Sequence, residues 1–172
     1  MQVKKNIKKI TISALFAAFA VIVGIAESML NLNIPIFLPG VKLGIANIFI
    51  ILAYKLLGAK YAFCISITRV LMVYLFTGNT IGLVLSLLGA IFSFLALIIS
   101  MKYYNKCFTF ISISSISALL HATGQIIAAY IFVGFGVTYY LPVLLFACMF
   151  TGIFTGILIN ISIRYMEKYI KI

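Results

Sequence analysis

Apolar residues run through this chain in long blocks separated by short polar or glycine-bearing joints. The blocks fall near residues 10 to 29, 43 to 58, 61 to 77, 80 to 100, 108 to 133 and 138 to 163. A helix needs roughly 20 residues to cross the hydrocarbon layer. Lipid offers the backbone no hydrogen-bond partner, so blocks of this kind read as spanning helices. The pattern predicts a single transmembrane domain over residues 1 to 172, an all-α bundle of six membrane-spanning helices. The second block is the shortest, with Lys42 before it and Lys55 and Gly58 near its end. It must therefore snorkel Lys55, tilt, or sit partly behind its neighbours. Leu57-Gly58-Ala59-Lys60 and Thr77-Gly78-Asn79-Thr80 read as tight turns.

Composition agrees with this picture: 65% of residues are hydrophobic, 15% aromatic and 9% charged. The 13 basic residues against two acidic ones would suggest a nucleic-acid partner in a soluble chain. Here the cations flank the apolar blocks, so they report orientation instead. With the amino terminus in the cytoplasm, Lys4, Lys5, Lys8, Lys9, Lys55, Lys60, Lys102, Lys106, Arg164, Lys168 and Lys171 lie inside. Only Lys42 then falls at the outer edge, and Arg69 lies within a span. Both termini are expected to be cytoplasmic, in a multi-pass protein of a bacterial plasma membrane. The first block resembles a signal peptide in its basic start, but its apolar run is too long and no small-residue cleavage site follows.

Recognised catalytic chemistry finds little purchase in this chain. Cys64, Cys107 and Cys148 have no CxxC spacing and no histidine cluster beside them, so they read as buried apolar fillers rather than metal ligands. There is no P-loop. Glu27 and Glu167 are the only carboxylates, too few for magnesium-held diphosphate chemistry. No catalytic residue, metal or cofactor is expected on this chain.

What remains is a set of polar groups at membrane depth, where each is costly. Glu27 closes the first block on its outer side, Lys42 and Asn47 open the second, and Arg69 lies midway through the third. His121 and Gln125 occupy the middle and outer part of the fifth. Ser114, Ser117, His121 and Gln125 follow spacings of three, four and four, which places them on one helical face expected to point into the bundle. Structural roles stand beside functional ones. Glu27 can clasp Lys42, Arg69 can snorkel or bond carbonyls, and His121 can bridge two helices. If Arg69 does none of this, an anionic ligand is its counter-charge, because the chain offers almost none. Ala14 and Ala18 form a small-xxx-small pair on the first helix, and Gly152 and Gly156 form a GxxxG on the sixth. Either pair serves internal packing or a partner helix.

The run Pro39-Gly40-Val41-Lys42-Leu43-Gly44-Ile45-Ala46-Asn47 gathers several of these features. It is preceded by Glu27-Ser28 and followed by Arg69, His121-Ala122-Thr123-Gly124-Gln125, Tyr140-Leu141-Pro142 and Thr151-Gly152-Ile153-Phe154-Thr155-Gly156. Together these resemble the Gx family of transporters, whose members also carry the name heptaprenyl diphosphate synthase component I. That family is similar to the substrate-binding S components of energy-coupling-factor transporters. The resemblance implies six helices with both termini inside and a ligand held in the outer half beneath the loop between the first two helices. It also implies a sliding face at Ala14 and Ala18 for a membrane coupling subunit, which works with two cytoplasmic ATPases that consume ATP.

On this reading the protein is a substrate-capture subunit. Glu27, Lys42, Asn47, Arg69, His121, Gln125, Tyr139 and Tyr140 form the expected site, with Phe37 and Tyr130 as further apolar walls. Lys42, Arg69 and His121 against Glu27 leave it positive, which suits a small amphipathic anion such as a vitamin, a quinone precursor or an isoprenoid-like compound. The alternatives are a membrane partner of a soluble prenyl diphosphate synthase, or a stand-alone facilitator, for which no repeated half-sequence speaks.

Overall fold

The computed structural model describes residues 2–32, 44–104 and 106–169, and it is all-helical. Among these residues it has six α-helices: α1 (Gln2–Leu32), α2 (Asn47–Leu57), α3 (Ala59–Thr77), α4 (Thr80–Lys102), α5 (Phe110–Val133) and α6 (Leu141–Tyr169), with a 3-10 helix (Gly134–Tyr140) before the last. Four stretches are long and apolar enough to cross a membrane: Asn6–Met29, Ala59–Thr77, Thr80–Lys102, and a continuous 57 residues, Phe110–Met166, that run through α5, the 3-10 turn and α6. The chain is thus a multi-pass membrane protein. α2 departs from the expected span. It holds 11 residues, about 16 Å of helix, only half of the ~30 Å hydrocarbon layer.

Local chemistry explains the joints. Gly58, at φ 101°, is the single residue between α2 and α3, and its N–H bonds the Ala53 and Tyr54 carbonyls. Gly78 closes α3 in the left-handed region at φ 65°, a conformation that costs glycine little. Asn79 then caps α4 by accepting from the Gly82 N–H at 2.8 Å. Thr109 caps α5 in the same manner, through the Ser112 N–H. Such short joints reverse the chain, so Lys55, Lys60, Lys102, Lys106, Arg164 and Lys168 gather at one end, here the basic end. The far end holds Gly78 and the 3-10 helix. Lys55 is exposed, with its ammonium 4.6 Å from the centroid of the Tyr104 ring. A cation over an aromatic face is partly compensated there.

α4 packs along α5, α5 along α6, and α1 against α3, while α2 touches α1, α3, α5 and α6. Glycines set the closest approaches. A Cβ on Gly124 of α5 would lie 2.8 Å from the Leu88 carbonyl oxygen and 3.0 Å from Gly89 Cα on α4. One on Gly156 of α6 would meet Ile111 Cα of α5 at 2.5 Å, and one on Gly152 would meet Ser115 Cα at 2.7 Å. The GxxxG of the sixth helix therefore serves internal packing. Ser114 Oγ and Thr155 Oγ1, 2.7 Å apart, bridge the same α5–α6 seam.

The apolar core falls into two clusters. One lies toward the basic end and draws on all six helices, with Phe16, Ile51, Ile65, Leu97, Ile113 and Ile159 among its members. The other lies toward the far end and, among the described residues, comes from α4, α5, the 3-10 helix and α6, including Leu85, Ile126, Val137 and Leu144. The cysteines depart from the expectation of three buried fillers. Cys148 is buried, but Cys64 and Cys107 are exposed, since each lies on the outward face of its segment, where lipid or solvent replaces the core.

Candidate ligand-binding site

Between the two clusters runs a layer of buried polar side chains. Glu27 of α1, Asn47 of α2, Arg69 of α3, Ser93 of α4, and Ser117, His121 and Gln125 of α5 are all at most 6% exposed. α2 explains why they meet. Its first residue, Asn47, is buried, so the helix begins inside the bundle, and the turn that feeds it, Gly44 to Ala46, is packed within protein. Irregular backbone is tolerated at membrane depth only in such surroundings. Gly44 enters this turn at φ 83°, a left-handed conformation natural to glycine. The turn is held from α1, where Glu27 Oε1 accepts the Ile45 N–H at 2.7 Å. A carboxylate at the start of a helix also complements the helix dipole.

Arg69 is 4% exposed. Its Nη1 donates to Asn47 Oδ1 at 2.9 Å, and the Glu27 carboxylate lies within electrostatic reach of the guanidinium. The aliphatic stem of Arg69 runs past Gly24 of α1, where an added Cβ would sit 3.7 Å from Arg69 Cγ and 2.9 Å from Val73 Cγ2. Asn47 Nδ2 donates in turn to Ser93 Oγ at 3.3 Å. Ser93 and Ser117 share a hydrogen bond of 2.7 Å between their hydroxyls, and Ser117 Oγ also donates to the Ser93 carbonyl at 3.1 Å.

His121 lies between two glycines. A Cβ on Gly44 would come 3.7 Å from its Cδ2, and one on Gly89 would come 2.9 Å from its Cε1 and 3.0 Å from its Nδ1. The same position on Gly89 lies 3.0 Å from Gln125 Cγ, so Gly89 makes the notch in α4 that receives both side chains. One turn further toward the far end, Ser86 Oγ is buried with no hydrogen-bond partner among the described residues. The expected inward stripe is present: Ser114, Ser117, His121 and Gln125 are each at most 3% exposed.

Of the expected site residues, the structure thus brings together Glu27, Asn47, Arg69, His121 and Gln125. Tyr139 is 78% exposed and Tyr140 44%, on the 3-10 helix at the far end, outside the buried cluster. Tyr130 is exposed as well. Tyrosines so placed resemble the aromatic belt of membrane proteins, whose rings sit at the headgroup level. Lys42 and Phe37 lie outside the described residues. Ala14 and Ala18 share an exposed face of α1, whereas Phe16 and Ala20 turn inward. Ser93, Ser86 and Gly89 were not anticipated. The signal was present in the seven-residue spacing of Ser86, Ser93 and Ser100, which puts three hydroxyls on one face of α4.

A half-length helix that starts inside a bundle and presents its amino end to buried charge is the architecture of a membrane protein with an internal polar site. In the broken helices of transporters, such ends face anionic groups. The chain belongs to the heptaprenyl diphosphate synthase component I family, whose model matches residues 16–161. That family name points to a membrane-associated component of heptaprenyl diphosphate synthase. No curated protein and no solved structure matches the chain.

Proposed function

We propose that this chain is the substrate-capture subunit, or S component, of an importer of the energy-coupling-factor type. It takes a small amphipathic anion from outside a bacterial plasma membrane, as a vitamin, a quinone precursor or an isoprenoid-like compound would be. The carrying observation is Arg69: a guanidinium sealed inside the bundle at the start of α2, with a neutral amide as its bonded partner and, among the described residues, a single buried carboxylate, Glu27, nearby that also holds the Ile45 N–H. A cation in that position is expensive unless something negative completes it. The proposal includes six crossings, with the short α2 and the chain before it making the second, and both termini in the cytoplasm, a placement supported by the gathering of basic residues at one end. The exposed Ala14 and Ala18 form the face that slides on a membrane coupling subunit. Two cytoplasmic ATPases use ATP, and this chain holds no cofactor and catalyses no reaction.

The family name favours a second reading, in which the chain anchors or assists a soluble prenyl diphosphate synthase. Gentle extraction followed by affinity capture and native mass spectrometry separates the two. A coupling subunit with two ATPases is the outcome expected of the importer, and a prenyltransferase in their place overturns it. Capture of neither favours a stand-alone facilitator.

A further inference from the structure

The hydrogen-bond chain that starts at Arg69 runs in one direction. A guanidinium has only donors, so the oxygen of the Asn47 amide must face it, and the amide nitrogen is left to donate onward. Ser93 Oγ accepts from that nitrogen. Ser117 gives its single hydroxyl proton to the Ser93 carbonyl, so the 2.7 Å contact between the two hydroxyls carries the Ser93 proton toward Ser117. The chain ends on a backbone carbonyl and is neutral throughout. It orients the guanidinium at Nη1 and contributes no charge to balance it. Glu27 Oε1 accepts the Ile45 N–H, and its carboxylate is the negative charge within electrostatic reach of the guanidinium without a hydrogen bond to it.

A guanidinium is a planar fork, and its paired N–H groups match two oxygens of one carboxylate or phosphate. Among the described residues Arg69 makes one hydrogen bond, from Nη1. Among the described residues the remaining edge of the fork makes no hydrogen bond, and it lies in a layer where the amino end of α2 adds a partial positive charge.

We propose that this free edge of Arg69 seats a two-oxygen anion, a carboxylate or a phosphate, and that Asn47, braced by Ser93 and Ser117, is the positioning residue that turns the edge toward it. The proposal rests on reading the buried layer as a capture site. It explains why an amide rather than a carboxylate stands at position 47: an aspartate there would take the guanidinium for itself.

The test uses the full chain purified in detergent, with benzoate and phenyl phosphate as probes and benzyl alcohol as the neutral control, followed by calorimetric titration and thermal unfolding. At least one anion is expected to bind and raise the unfolding temperature, while benzyl alcohol does neither. Binding of benzoate alone assigns the seat to a carboxylate, of phenyl phosphate alone to a phosphate, and of both to their shared chemistry. If neither anion binds, or the alcohol binds as well as they do, the proposal falls. Arg69→Lys keeps the charge but loses the fork, and affinity is expected to drop at least tenfold. Asn47→Asp is expected to fold with an unchanged or higher unfolding temperature and yet lose at least tenfold in affinity. A residue that only holds the fold would show the reverse, a lower unfolding temperature with affinity intact. If Asn47→Asp does not fold, Ser93→Ala serves in its place, with weaker anion binding expected. Unchanged affinity in these variants places the anion elsewhere and overturns the inference. Its failure is distinct from that of the importer reading, which depends on the proteins captured with the chain.

Discussion

The two ends of this bundle are built differently. At the basic end all six helices contribute to one apolar cluster, including four consecutive buried residues of α2, Ile50 to Ala53. At the far end the apolar cluster of the described residues comes from α4, α5, the 3-10 helix and α6, while α3 adds the buried Val70 and Val73 beside α1 and α1 and α3 contribute Glu27 and Arg69 to the adjoining layer. The basic end is thus closed by hydrophobic packing from every helix, whereas the layer between the two clusters is closed by hydrogen bonds and charge. Packing of the first kind is rigid and tolerates little change in volume. Closure of the second kind depends on partners, and it can be completed from outside the protein. This contrast is why the proposed ligand seat lies in the buried layer rather than in either core.

The contrast breaks most sharply at the seams. Gly156→Leu would drive a side chain into the Ile111 backbone, and it is expected to prevent recovery of a monodisperse protein in size-exclusion chromatography. Gly136, which has nothing within 4 Å of an added Cβ, is the matched control, and its change to Ala is expected to alter stability by no more than about 0.5 kcal/mol.

Next in size is the basic-end core. Ile51 is 1% exposed, and Ile51→Ala should cost about 2–5 kcal/mol, as large-to-small changes in a core do. Denaturant unfolding in micelles would measure this. A cost near zero would mean that α2 is not packed as described.

Arg69→Gln acts in the opposite sense on the other region. It is expected to leave folding intact, because the desolvation cost of the cation is relieved while the Glu27 carboxylate keeps its hydrogen bond from the Ile45 N–H and the new amide can still donate to Asn47. Binding of an anionic ligand should fall about tenfold or more, equivalent to roughly 1.4 kcal/mol. Collapse of the fold in this variant would return Arg69 to a structural role.

The smallest effects on stability lie at the surface. Ala14→Leu or Ala18→Trp, on the exposed face of α1, should leave the unfolding temperature of the isolated chain unchanged while weakening capture of a coupling subunit. Lys55→Ala removes the ammonium over the Tyr104 ring and is expected to cost about 0.5–1 kcal/mol, as exposed cation–π contacts do.

Much of the helical layout was determined by the sequence alone, because hydrophobic block length and the glycine joints are local properties. The blocks at 61 to 77 and 80 to 100 correspond to α3 and α4 within two residues, and Gly58 and Gly78 stand at the predicted turns. The inward stripe of α5 was equally legible, since the spacing of Ser114, Ser117, His121 and Gln125 follows from helix geometry. Tertiary structure decided the rest. That α2 begins only at Asn47, inside the bundle, depends on Glu27 holding the Ile45 N–H from another helix. That Asn47 serves Arg69 and Ser93 depends on three helices meeting at one depth. The exposure of Tyr139 and Tyr140, like that of Cys64 and Cys107, reflects which face of each element the neighbouring helices leave uncovered. A single apolar block carries little mark of which side it shows to lipid and which to protein, because both are apolar. Contacts between distant residues settle that choice.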